Sequence, residues 1–93
     1  MIVACRNLDT ANAAVEEIKK QCSNDEQLGQ LQVSKLDLSS LSSVRLFAKA
    51  LLESENRIDL LVNNAGVMMC PRSRTEDGFE MQLGTNHLGH FLL

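Results

Sequence analysis

The 93 residues suffice for one small domain, and a hydrophobic content of 44% is ordinary for a soluble globular protein. Twelve acidic and nine basic residues give a formal net charge of -3, and no basic cluster offers an electrostatic grip on nucleic acid or anionic lipid. The first residues reach Arg6 too soon for a signal peptide, and no apolar run approaches the length of a transmembrane helix. We therefore expect a soluble, untargeted chain without a nucleic-acid partner.

Three cysteines, Cys5, Cys22 and Cys70, are spread along the chain without C-x-x-C spacing. An odd number at these spacings matches neither a disulfide framework nor a zinc knuckle, so we expect reduced thiols. The chain contains no tyrosine and no tryptophan.

The first half of the chain predicts two strand–helix units. Residues 1–5 form a short apolar run rich in branched side chains, which suits a buried strand. An amphipathic helix is predicted over residues 9–22, with a polar loop over 23–29 after it. A second strand lies within residues 31–38, and a serine-capped second helix follows it up to about residue 55.

The stretch 58–66, Ile-Asp-Leu-Leu-Val-Asn-Asn-Ala-Gly, organises the rest of the prediction. An apolar run that stops at two amides, alanine and glycine indicates a central strand over 58–62 that delivers its carboxyl end to a ligand site. Pro71 ends any extension of this strand, and a last helix is predicted from residues 75–77 to the end of the chain. Strands alternating with helices through short connections indicate an α/β fold with a parallel sheet. A flavodoxin-like or receiver domain would need an acidic cluster or a phosphate loop at these strand ends, and neither is evident.

Four motifs carry a resemblance to a known family. Each lies at the end of a predicted strand or in the following helix: Ala4-Cys5-Arg6, Asp37-Leu38, Asn63-Asn64-Ala65-Gly66, and Asn86-His87-Leu88-Gly89-His90-Phe91-Leu92-Leu93. Together they resemble the short-chain dehydrogenase/reductase family, and residues 64–68 with 75–82 resemble its retinol dehydrogenase-like branch. The resemblance covers essentially the whole chain. It implies that residues 1–93 are a partial NADP-binding Rossmann domain, a doubly wound parallel sheet that lacks its first strand and its C-terminal half.

The resemblance also implies NADP(H) as the cofactor. Arg6 matches the position at which members of the family contact the adenosine ribose of the cofactor. A guanidinium at this position can form two hydrogen bonds to a 2'-phosphate. An acid at position 5 would instead have bound the free ribose hydroxyls, and this chain has Cys5. Without the resemblance, Arg6 would be read as a solvent-facing arginine at a helix start.

Two further motifs match cofactor contacts of the family. Asp37 and Leu38 match the pair that holds the adenine ring, although an aspartate before two serines is more often helix-cap chemistry. Asn64, Ala65 and Gly66 match the segment whose small residues let backbone approach the cofactor ribose. The alternative for the second motif is a simple turn, which the apolar run before it disfavours.

Asn86 matches the catalytic asparagine of the family, which holds a water in the proton relay behind the catalytic tyrosine and lysine. An amide suits this task because it donates and accepts at once without titrating. His87 and His90 could approach one metal, with Cys70 as a third ligand, but the spacing is unspecific. We therefore predict no metal site.

Two parts of the family's apparatus do not occur in these residues: the Gly-rich Thr-Gly-x-x-x-Gly-x-Gly turn and the Tyr-x-x-x-Lys pair. One hypothesis is a fragment of an NADP(H)-dependent oxidoreductase that interconverts an alcohol and a carbonyl, with retinol and retinal or another small lipophilic pair as substrate. The alternative is a catalytically inactive truncated isoform that acts as an interaction or regulatory module or is degraded. The chain as given is expected in the cytoplasm, while endoplasmic reticulum or mitochondrial membrane association of the parent stays open, as does the oligomeric state.

The resemblance has a structural consequence as well. In the family's strand order 3-2-1-4, the strand absent here would lie between residues 1–5 and 58–62. Both segments are then left with unpaired backbone facing a gap. We expect the isolated chain to be molten or to aggregate unless the two segments pair directly.

Overall fold

The computed structural model describes residues 1–22 and 29–93, so the polar loop predicted over 23–29 lies outside the described residues except for Gly29. The chain divides into two compact units, Met1–Leu36 and Asp37–Leu93. Among the described residues, no helix combines the length and the hydropathy that crossing a membrane requires.

The first unit is a strand, a helix and a parallel strand: β1 (Ile2–Cys5), α1 (Leu8–Gln21) and β2 (Gln32–Lys35). Val3 lies opposite Val33 in the register, and α1 contacts both strands. This strand–helix–strand unit confirms the predicted α/β class, with each element within a few residues of its expected position.

Helix α1 begins at a side-chain cap. The Oδ1 atom of Asn7 accepts a hydrogen bond from the Thr10 N–H at 3.1 Å, which satisfies one of the free donors of the first turn. On the inner face, Ala11 and Val15 are buried at the spacing of one helical turn. The predicted helix is therefore confirmed, with Ala11 and Val15 as its buried positions.

The second unit contains α2 (Leu41–Ser54) and a helical C-terminal segment. Ser40 caps α2 by accepting a hydrogen bond from the backbone of Ser43, as the serine pair in the sequence predicts. Val44 and Phe47, three residues apart on α2, are buried. Three parts of continuous helical backbone make up the C-terminal segment: α3 (Met81–Leu83), a π-helical turn (Gly84–Leu88) and α4 (Gly89–Leu92).

The strand predicted over residues 58–62 is wrong. These residues form no β-ladder, and Leu60 and Val62 are 80% and 69% exposed. An apolar run becomes a strand only where a neighbouring strand satisfies its backbone, and the described strands, β1 and β2, pair with each other. A hydrogen bond of 3.1 Å from the Asn64 N–H to the Val62 carbonyl turns the chain at this point instead.

The predicted start of the last helix at residues 75–77 is also wrong. Thr75 and Gly78 form a turn, closed by a 3.0 Å hydrogen bond from the Gly78 N–H to the Thr75 carbonyl. Gly78 has a φ of +86°, a backbone conformation that glycine adopts without steric cost. The helix begins only at Met81, because the Glu80 carboxylate accepts hydrogen bonds from two N–H groups of the first turn.

Asp77, expected to favour the start of its own helix, caps a different one. Its Oδ2 atom accepts a hydrogen bond of 2.8 Å from the Leu41 N–H, at the first residue of α2. The backbone N–H of Glu76 also donates to the Ser39 carbonyl at 3.1 Å. These two bonds attach the turn before α3 to the start of α2.

The Glu80 cap predicts a dependence on pH. Hydrogen bonds from the backbone N–H groups of Gln82 and Leu83 lower the pKa of Glu80 below its ordinary value. A carboxyl with a lowered folded pKa stabilises the fold above its unfolded pKa, about 4.3 for glutamate, and this contribution is lost as pH falls through the folded value. We expect Glu80→Gln to abolish the acid titration of the Gln82 and Leu83 amide shifts in NMR. A Glu80 carboxyl that titrates at or above the ordinary value would contradict this account.

The exposed apolar run predicts surface binding of hydrophobic dyes. We expect the purified chain to bind anilinonaphthalene sulfonate and to unfold without a sharp transition, because 58–62 has no covering layer. Replacing Leu60 and Val62 by lysine should lower dye fluorescence. The matched control replaces Leu46 and Leu52, which are 69% and 73% exposed but lie on the regular helix α2, and should change it less. Sharp cooperative unfolding of the original chain would refute the prediction.

Candidate functional site

The side chain of Asn86 pairs with the backbone of Val67 through two hydrogen bonds. The Val67 N–H donates to Oδ1 of Asn86 at 2.8 Å, and Nδ2 of Asn86 donates to the Val67 carbonyl at 2.8 Å. This reciprocal exchange is the one that two opposed residues make in an antiparallel ladder. It fixes the amide orientation, because only the oxygen can accept from an N–H and only the nitrogen can donate to a carbonyl. One side chain therefore anchors the segment after Gly66 to the C-terminal helical segment.

Gly66 makes room for this pairing. A Cβ atom at Gly66 would lie 3.2 Å from Oδ1 of Asn86 and 3.5 Å from its Cγ. A side chain at position 66 would therefore press on the amide that Val67 uses. The glycine allows close approach of backbone and side chain, which is a common reason for glycine at a ligand-facing loop.

Asn86 lies in the π-helical turn. The turn is closed by the Gly89 N–H, which donates to the Gly84 carbonyl five residues earlier. Single π-helical turns inside α-helices occur frequently at functional sites. The backbone around Asn86 thus has the wider geometry that such sites use.

Two glycines bound the π-helical turn, and neither position has space for a side chain. A Cβ atom at Gly84 would overlap the Cγ2 atom of Thr75, and one at Gly89 would overlap the carbonyl oxygen of Leu38. Both glycines are buried. Sequence reasoning assigned no role to either, although two glycines within a helical pattern were a signal of close packing. The large apolar residues of this segment are less buried than its glycines, with Phe91 83% exposed.

Asp37 takes part in the turn that leads into α2. Its Oδ1 atom accepts hydrogen bonds from the N–H and the hydroxyl of Ser39, at 2.9 and 2.6 Å. The Asp37 N–H donates to the Ser43 hydroxyl at 2.9 Å. These bonds are the helix-cap chemistry that the sequence offers as the alternative role for Asp37. They use one of its two carboxylate oxygens. Neighbouring Leu38 is buried beneath Gly89, which brings this motif against the π-helical turn.

The remaining candidates are exposed, as Asn86 is. Asn64, Ala65 and Gly66 lie on the surface of the second unit. Arg6 lies on the surface of the first unit, where its carbonyl oxygen accepts a hydrogen bond from Nζ of Lys35 at 2.5 Å. Within residues 1–22 and 29–93, the ion pairs that form do not involve Arg6. The structure thus links the Leu38, Gly66 and Asn86 motifs, which all lie in the second unit. Arg6 belongs to the first unit.

His87 and His90 have separate surroundings. The ring of His87 faces Phe91, with centroids 6.2 Å apart, whereas Nδ1 of His90 lies 2.9 Å from the Asn86 carbonyl oxygen. Across the described part of the chain, no three His, Cys, Asp or Glu side chains converge as metal ligands would. A cavity of about 300 Å³ is lined by residues outside the candidate set, Arg72, Ser73, Arg74 and Glu80.

Comparison with known proteins places this geometry in a family. A family model described as short chain dehydrogenase matches residues 1–93. Human retinol dehydrogenase 13 is 50% identical over 93 residues, with 100% of this chain and 27% of the relative covered. Mouse retinol dehydrogenase 11 is 53% identical over 91 residues, with 98% of this chain and 28% of the relative covered.

A solved structure supports the same assignment. The crystal structure of an uncharacterised protein from Mycobacterium paratuberculosis matches with a TM-score of 0.77 and 44% identity, covering 99% of this chain and 30% of that one. The chain thus spans about 27–30% of the length of these relatives. A match over the whole chain, in sequence and in fold, means that the chain belongs to the short-chain dehydrogenase family.

Proposed function

We propose that this chain is part of an NADP(H)-dependent oxidoreductase that interconverts a lipophilic alcohol and its carbonyl compound, with retinol and retinal as the first pair to test. The observation that carries the proposal is the paired amide of Asn86, held on Val67 in a π-helical turn. Relatives named retinol dehydrogenases, at 50% and 53% identity, support the substrate class.

The residues present suit a nicotinamide dinucleotide. Gly66 exposes backbone without a side chain, so a flat ligand can lie against it. The bonds to Ser39 use only Oδ1 of Asp37, and Oδ2 can accept a hydrogen bond from an exocyclic amine. The exposed guanidinium of Arg6 matches the geometry of a phosphate, which favours NADP(H) over NAD(H). When bound, this cofactor supplies hydride transfer.

Asn86 retains hydrogen-bonding capacity for a water molecule. Beyond the two bonds to Val67, its Oδ1 has a second lone pair and its Nδ2 a second hydrogen. Since the amide cannot rotate without breaking both bonds, these free positions point in set directions. A water held there would be oriented for a proton relay. The 93 residues contain no tyrosine, so in this proposal they bind and orient, and they do not themselves protonate the substrate.

The second hypothesis, an inactive interaction or regulatory module, rests on that absence of tyrosine. Sequencing the complete transcript separates the two. An open frame with the Gly-rich turn before residue 1 and Tyr-x-x-x-Lys after residue 93 supports the oxidoreductase, and its product should reduce retinal with NADPH. Stop codons on both sides support the inactive module.

Arg6 predicts the cofactor preference of the protein encoded by the complete frame. Arg6→Ala removes hydrogen bonds to a phosphate, which contribute about 1.5–3 kcal/mol. The KM for NADPH should therefore rise about 10- to 100-fold, while the KM for NADH stays nearly unchanged. Steady-state kinetics with both cofactors measures this. Arg45→Ala, at an exposed site on α2, is the control and should alter neither value. Equal losses for both cofactors would contradict a 2'-phosphate contact.

The proposed role of Asn86 predicts that its substitution slows the chemical step in the same enzyme. We expect Asn86→Ala to lower kcat by about 100-fold, within the range for acid–base groups, with little change in the KM for NADPH. Asn86→Asp keeps an acceptor for the Val67 N–H but cannot donate to its carbonyl, so its kcat should also fall. Asn12→Ala, at an exposed site on α1, is the control. An unchanged kcat in both Asn86 variants would remove Asn86 from the relay.

A further inference from the structure

We propose that His90 is a positioning residue, which holds the backbone of the π-helical turn and through it the side chain of Asn86. Nδ1 of His90 lies 2.9 Å from the carbonyl oxygen of Asn86, one turn earlier. A carbonyl oxygen can only accept a hydrogen bond, so Nδ1 must carry the hydrogen. In the neutral ring, Nε2 is then the nitrogen with the free lone pair.

This bond completes the anchoring of Asn86. Its side chain is held by the backbone of Val67 on one side, and its own carbonyl is held by His90 on the other. The π-helical turn interrupts the regular ladder of α-helical hydrogen bonds, which is where a side-chain donor has most effect on backbone geometry. His90 is half-buried, and Asn86 is exposed.

His87 provides an internal comparison. It belongs to the same helical segment, is exposed, and has its ring 6.2 Å from that of Phe91 at a tilt of 36°. A contact of this kind involves no backbone of the π-helical turn. Substitution of His87 therefore changes one histidine of the segment without removing a donor to Asn86.

An effect of His90 on catalysis rests on the proposed function, because it acts through Asn86. The hydrogen bond and its effect on the Val67 pairing do not, since both belong to the chain without cofactor or substrate. Experiments on the protein encoded by the complete frame, recorded without cofactor or substrate, therefore test the inference whether or not the proposed function holds.

The first experiment determines the tautomer of His90 by ¹⁵N NMR of this unaltered full-length protein. The spectrum is recorded for the neutral ring, in which one nitrogen carries a hydrogen and the other does not. We expect Nδ1 to show the shift of a protonated nitrogen and Nε2 that of an unprotonated one. A ring in the Nε2–H form overturns the proposal, and no substitution is needed to obtain that result.

The second experiment compares three variants by hydrogen exchange of the Val67 amide. His90→Leu removes the donor and should speed exchange about fivefold or more, the effect of losing one hydrogen bond. His90→Asn places an amide nitrogen at the position of Nδ1 and should restore slow exchange. His87→Leu should leave the rate unchanged.

The Val44 amide, which donates to the Ser40 carbonyl at 3.1 Å in the same unit, reports whether that unit stays folded. Fast exchange at Val67 with unchanged exchange at Val44 supports the positioning role. Unchanged exchange at Val67 in His90→Leu overturns it. If both amides lose protection in His90→Leu, rescue of both by His90→Asn together with the Nδ1–H tautomer supports the proposal, and failure of either overturns it.

Discussion

Val67 has both its backbone polar groups bonded to the amide of a single side chain, that of Asn86. Two features of the second unit allow this pairing to form. Gly66 leaves space beside the amide, and the π-helical turn gives Asn86 its backbone position. Because a buried or half-buried backbone group without a partner costs free energy, a pairing that satisfies two of them also holds the loop in place.

Short polar contacts set the position of the helical segment that carries Asn86. Glu80 ends the preceding turn and caps α3, while Oδ2 of Asp77 accepts a hydrogen bond from the Leu41 N–H at the start of α2. Gly84 and Gly89 then let the segment approach its neighbours so closely that no side chain fits. Small residues and caps decide this geometry, whereas the large apolar side chains of the segment, such as Phe91, remain exposed.

The exposed run over residues 58–62 shows the limit of reading strands from hydrophobicity. Its composition is that of a central strand, and its residues lie at the surface without a ladder. A helix satisfies its backbone within its own segment, which is why α1 and α2 follow their sequence patterns closely. A strand depends on a second segment for every backbone hydrogen bond, so its formation depends on residues elsewhere.

From the sequence alone came the α/β class, both long helices, a serine cap for α2, and the motif that contains Asn86. These rest on local rules: amphipathic spacing, capping chemistry and short motifs. Only the tertiary structure decided that Asn86 bonds to Val67 and that His90 bonds to the Asn86 carbonyl. It also decided that residues 58–62 stay unpaired. The reason is physical, since partners distant in sequence meet only when the intervening chain folds, and a local pattern carries no information on that distance.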